Sequence, residues 1–167
     1  VSSSILERPL FQEENGGASP TLPLLSLEEV RQMVQKALSP ELLKGRWRTE
    51  QGTLDGHCYV ASEALWHLLD KSLWQPHYAL YTDAGGRATH WWLVHKDTLE
   101  IADPTKEQYD GYKFLDKNLE DGVPPYKIGK IGNFLTKEPS KRAKIVIDRV
   151  YFSYQLVWKL SLGEDNE

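Results

Sequence analysis

A chain of 167 residues with 40% apolar content is one domain's worth of polypeptide and suffices for a buried core. Its 20 basic and 24 acidic residues leave a formal net charge of −4, which excludes the global positive field that draws a protein to nucleic acid or anionic membrane. A single cysteine excludes an internal disulfide, and no apolar run approaches the roughly 20 residues that cross a bilayer, so a cytoplasmic protein without a membrane partner is expected, a secreted or effector domain being the alternative.

Residues 1–25 are Ser, Glu, Gly and Pro with scattered leucines and lack the period of a helix or strand, which predicts a linker or extended arm. The chain starts on Val1 rather than Met, which suggests a processed protein or one released from a longer polypeptide. Residues 26–162 are expected to form a single domain, with 163–167 a frayed tail. Ser26 and Glu29 stand in capping-box relation at a helix start, and Val30, Met33, Val34, Ala37 and Leu38 then form one apolar face until Ser39-Pro40 stops it. Gly45 to Gly56 is polar and punctuated by glycine, hence a loop.

The segment Tyr59–Leu69 carries Ala61, Ala64, Leu65, Leu68 and Leu69 at core spacing and predicts a second helix, with Cys58 at its first turn. The aromatic, alternating run from Trp74 to Thr82 predicts a strand, followed by a turn at Ala84-Gly85-Gly86-Arg87. Thr89–His95 and Leu99–Ala102 predict a hairpin. Asp110–Thr136 is rich in Gly, Pro, Lys and Tyr and has no clear period. Pro139 suits the first turn of a last helix bearing Ala143, Ile147, Val150, Tyr151 and Tyr154, with a strand reading of Ile145-Val146-Ile147 and Tyr151–Tyr154 standing beside it.

Chemistry concentrates on Cys58. A thiol ionises before it attacks a carbonyl, and the unpaired N–H groups of a helix start favour the anion and can also hold the oxyanion that attack creates. The thiolate needs a histidine base, and that ring an acceptor on its other nitrogen. If the hairpin loop is Lys96-Asp97, or a four-residue loop His95–Thr98 that keeps the register, His90 lies directly opposite Asp103 on the same sheet face, with Cβ atoms about 5 Å apart; a three-residue loop would place them on opposite faces. His95 has the other parity and lies nearer the tip.

A cysteine at a helix start, a histidine in His90-Trp91-Trp92-Leu93-Val94, and an aspartate in Ile101-Ala102-Asp103-Pro104-Thr105 together resemble the transglutaminase-like branch of the papain-like thiol enzymes over about Gly56 to Thr105. The resemblance implies an α+β fold, papain-like or transglutaminase-like, with the cysteine-bearing helix packed on an antiparallel sheet. It also implies Cys58 as nucleophile, His90 as general base and acid, and Asp103 as orienter. Such enzymes often carry an oxyanion glutamine six residues before the cysteine. Here that position is Gly52 and Gln51 is one residue further, so the Cys58 N–H is the alternative donor.

The expected activity is therefore a cysteine hydrolase or acyl transferase acting on an amide of a protein or peptide: a peptidase, a deamidase or a transamidase, with no cofactor. Gln51, His57 and Trp92 are candidates for the oxyanion site or the cleft, His57 also as a plain loop residue. Trp91 and Trp92 point to opposite faces, one to fill the core and the other to wall the cleft. His67 is expected at the surface or boundary of its helix, and His77 as structural. Two rival readings stand beside this one. His57, Cys58, His90, His95 and Asp103 are all possible zinc ligands of a zinc-dependent hydrolase, although no motif spacing for zinc is present. Alternatively, Lys137, Lys141, Arg142, Lys144 and Arg149, in the basic segment 137–149, could contact the phosphates of nucleic acid.

Overall fold

The structure, a computed structural model, describes residues 25–45, 47, 54–161 and 163. The arm expected over 1–25 lies outside the described residues except Leu25, which packs on the main core. Three α-helices and a four-stranded antiparallel sheet make an α+β fold: α1 (Leu27–Lys36), α2 (Cys58–Leu68), β1 (Trp74–Asp83), β2 (Gly86–His95), β3 (Ile101–Ala102), β4 (Lys130–Ile131) and α3 (Lys141–Ser161). The sheet order is β3-β2-β1-β4.

Helices α1 and α3 begin where side chains satisfy their free donors. Ser26 Oγ accepts the Glu29 N–H at 3.1 Å, the first half of the capping box expected for α1, and the Glu29 carboxylate accepts the Ser26 hydroxyl. Pro40 then opens a 3₁₀ turn, Pro40–Leu42, that leads away from the helix. At α3, Ser140 Oγ accepts the Ala143 N–H at 3.2 Å, and the buried Glu63 of α2 accepts the Ser140 N–H at 2.8 Å. The strand alternative for the α3 segment is thereby replaced by a helix that buries Ala143, Val146, Ile147, Val150 and Tyr154.

One face of the sheet carries the main core. Val60, Ala61, Ala64, Leu65 and Leu68 of α2 pack with Val30 and Val34 of α1, with Val146, Ile147 and Val150 of α3, and with Trp74 and Leu93 of the sheet. On the opposite face, Ala79, Trp92 and Val94 form one small cluster and Tyr81, Ala88, Tyr109 and Leu119 another. These are covered by the segment between β3 and α3, which supplies 3₁₀ turns at Lys106–Tyr109 and Tyr126–Ile128.

The hairpin between β2 and β3 differs from the two-residue loop expected. Leu93 pairs with Ala102 and Val94 with Ile101, and the His95 N–H reaches Glu100 O at 2.8 Å, so Lys96–Leu99 form a four-residue loop. Leu99 takes the left-handed backbone at φ 62° to close it. His95 serves this turn: its Nδ1 accepts the N–H groups of Asp97 and Thr98, each at 3.2 Å. Relative to expectation the register moves by two residues. Parity survives, so His90 and Asp103 stay on one face, but as diagonal rather than directly opposed neighbours. β2 also starts at Gly86 instead of Thr89, and β3 is shorter than expected.

Pro104 explains the short β3. Alternate residues of β2, those of His95, Leu93, Trp91 and Thr89, turn their backbone polar groups toward β3. Continued, the register would set residue 104 opposite Trp91, and proline has no N–H to give. Beyond Ala102 the carbonyls on this edge are instead met by side chains of α2. Ser62 Oγ donates to Trp91 O at 2.9 Å, and Cys58 Sγ donates to Thr89 O at 3.4 Å. An interrupted strand thus brings the start of α2 to the edge of β2.

Candidate active site

Cys58 is the first residue of α2, and His57 is its N-cap without a side-chain hydrogen bond to the first turn. Gly56 precedes it at φ +80°, with Trp47 so close that a Cβ at residue 56 would overlap its side chain. His57 itself is buried, and its Nε2 pairs with Ser39 O at 3.0 Å. It therefore fastens the α2 start to the end of the α1 segment, and its ring is not held on the Cys58 side chain.

His90, fully buried on β2, pairs through Nε2 with Asp103 Oδ2 at 2.6 Å. A carboxylate only accepts, so Nε2 carries the proton and Nδ1 of the neutral ring is a free base. Nδ1 has no hydrogen-bond partner among the described residues. Besides its contact with Thr89 O, the Cys58 sulfur stands near enough to the ring to act on its charge. Burial opposes the imidazolium, but the Asp103 charge and hydrogen bond, with Cys58 adding to both, overcome it and hold His90 at about 9.

The aspartate is fixed from several sides. Its Oδ1 accepts the Thr105 N–H at 3.0 Å, with the Thr105 hydroxyl 3.5 Å away, which is the turn that Asp-Pro-Thr builds. Its Oδ2 also accepts the Tyr126 hydroxyl at 2.8 Å. Behind this turn, Gln35 of α1 donates to Pro104 O at 3.2 Å and to Glu107 at 2.7 Å, and the buried Arg31 links Glu28 to Glu107. Helix α1 thereby clamps the segment that presents Asp103.

Aromatic rings enclose the imidazole. Trp92 stacks on it at 5.6 Å, and Tyr109 meets it edge-on at 4.7 Å. Trp92 is 1% exposed, so it walls the imidazole rather than an open cleft, while Trp91 on the other face packs with Tyr59, Tyr78 and Phe134. The three side chains are nearly closed from solvent: Cys58 is 7% exposed, His90 0% and Asp103 2%. Gln51 lies outside the described residues.

The other candidates are dispersed. His67 is buried rather than at the surface or boundary as expected, because α2 is covered on that side too; burial takes its pKa down to about 4. His77 stays next to Trp92. Among the described residues no three of His, Cys, Asp and Glu stand together as a metal-binding group. In the basic segment, Arg142 bonds Leu42 O, and Arg149 bonds Ala37 O at 2.9 Å and pairs with Glu41 at 2.6 Å. Lys137, Lys141 and Lys144 remain exposed. Sequence reasoning missed Tyr126, Tyr109, and any role for Thr105 beyond its place in the motif. Tyr126 and Tyr109 sit in segments without a period, and only their aromatic character in a polar stretch could have marked them. No helix among the described residues is long and apolar enough to cross a membrane.

No family model matches this chain, and no curated protein or solved structure shows significant similarity to it.

Proposed function

We propose that the chain is a cysteine hydrolase or acyl transferase of the papain-like, transglutaminase-like kind, acting on an amide of a protein or peptide. The observation that carries this reading is the 2.6 Å His90–Asp103 pair, whose free Nδ1 lies on a ring acted on by the only cysteine. With His90 raised to about 9 the proton already rests on its Nδ1 near neutral pH, and Cys58 Sγ forms a bond to the carbonyl carbon as the thiolate of that pair. The oxyanion lies against first-turn N–H groups of α2, which have no intrahelical carbonyl and no side-chain cap. His90 then returns the proton to the nitrogen as the C–N bond breaks, leaving an acyl-thioester. Water or an amine attacks that thioester, gives its proton to His90, and releases Cys58. Water makes a peptidase or deamidase, an amine a transamidase, and the arrangement up to the thioester serves all three.

The test is alkylation by iodoacetamide, followed by mass spectrometry. Cys58 is expected to label near neutral pH faster than a free thiol, and His90→Ala to slow labelling by about a hundredfold or more while the protein stays folded. Equal rates in the two proteins would end this reading.

A further inference from the structure

Asp103 Oδ2 serves two donors at once, the His90 Nε2–H at 2.6 Å and the Tyr126 hydroxyl at 2.8 Å. Its other oxygen is committed to Thr105. The Tyr126 ring is delivered by a particular local fit. It packs on Trp92 at 5.1 Å, and the Gly129 N–H closes the turn on Tyr126 O at 3.0 Å. A Cβ at Gly129 would stand 2.4 Å from the Trp92 ring, so glycine is what lets this turn lie against the tryptophan that also stacks on His90. The hydroxyl therefore reaches the carboxylate from a wall shared with the imidazole.

We propose that Tyr126 is a positioning residue for the Cys58–His90–Asp103 site: its hydroxyl fixes Oδ2 and, by drawing charge from that oxygen, sets how tightly Asp103 holds the His90 imidazolium. This rests on reading that site as catalytic. Two donors on one oxygen compete for its charge, so removing one strengthens the bond to the other. The groups facing His90 are few. Cys58 comes from α2, Asp103 from the end of β3, Tyr109 from the turn after it, Trp92 from β2 itself and Tyr126 from the later turn. Tyr109 donates to Tyr81 of β1 and, being buried, stays protonated. Burial and the Asp103 charge likewise keep Tyr126 protonated, and Arg31 and Glu107 face it from α1 and from the Lys106–Tyr109 turn. Only Asp103 and Cys58 among these add charge to His90, so a change at the Tyr126 hydroxyl is read through Asp103.

The experiment follows the His90 ring by nitrogen NMR through a pH titration, alongside the pH dependence of Cys58 alkylation, in wild type and Tyr126→Phe. The His90 midpoint is expected to rise by about half a pH unit to one pH unit in Tyr126→Phe, and the alkaline limb of the alkylation profile to rise with it. Replacing Tyr126 by 3-fluorotyrosine, a stronger donor of the same shape, is expected to move both the other way, and it decides the matter alone if Tyr126→Phe does not fold. A His90 midpoint that stays put, or that moves in one direction for both changes, overturns the proposal. If the midpoint moves as expected while His90→Ala leaves alkylation untouched, the thiol-enzyme reading fails and the role of Tyr126 on Asp103 stands.

Discussion

The Asp103 carboxylate concentrates the chemistry of the site because it joins three separate stretches of chain: β2 through His90, its own turn through Thr105, and the distant segment of Tyr126. Its charge, not its shape, keeps His90 protonatable inside a buried aromatic box, since burial alone acts in the opposite direction. Asp103→Asn preserves the shape and removes the charge. It is expected to lower the His90 pKa, bringing down the alkaline limb of the alkylation profile, and to cut the rate at neutral pH by about a hundredfold. That shift is opposite in sign to the one expected for Tyr126→Phe, so the two variants separate a loss of charge on Asp103 from a gain. Alkylation of Asp103→Asn at the wild-type rate would show that the carboxylate does not act on the ring.

At the scale of elements, what the sequence disclosed and what it hid have physical reasons. Helices α1 and α3 were legible because each buries one stripe, as Val30 with Val34 and Val146 with Val150 show, and because Ser26 and Glu29 mark a start that local chemistry alone determines. The pairing of His90 with Asp103 was legible for a subtler reason: a hairpin slip of two residues exchanges partners but never faces. The slip itself was hidden, because closing a four-residue loop with Leu99 in the left-handed region is not something leucine advertises. The Tyr126 segment was hidden because its conformation depends on packing against Trp92 rather than on any repeat of its own. The end of β3 at Pro104 hands the edge of β2 to Ser62 and Cys58, and this can be tested away from Cys58, His90 and Asp103. Ser62→Ala withdraws the donor from the Trp91 carbonyl and is expected to cost about 1–3 kcal/mol in denaturant unfolding and to slow Cys58 alkylation as the start of α2 loosens from the strand. Unchanged stability would mean that α2 does not depend on that open edge.

Over the whole molecule, two buried histidines are shifted in opposite directions, and the two shifts bend the stability of the fold with pH from opposite sides. His67, with Nε2 unpartnered among the described residues, is lowered to about 4 by burial, with nearby Lys71 adding to the effect and Glu138 opposing it. Between the ordinary histidine value of about 6.5 and 4, the unfolded chain takes up a proton that the folded one refuses, so stability falls as pH drops through that window. His77, also lowered by burial, adds to this arm. His90, raised to about 9, gives stability that is complete below about 6.5 and is lost as pH climbs to 9, because there the folded chain holds a proton that the unfolded one has released. The carboxylates of Glu28, held near 2 by Arg31, and Glu41, held near 2 by Arg149, come into play only at lower pH, below the usual carboxylate range. Denaturant midpoints are therefore expected to peak near pH 6.5 and decline on both sides. His67→Gln is expected to flatten the acid arm alone, and His90→Gln the alkaline arm alone. The same buried ring that serves the proposed chemistry would then dominate the alkaline limit of the fold, and a His90→Gln protein whose midpoints still fell from pH 6.5 to 9 as steeply as wild type would break that link.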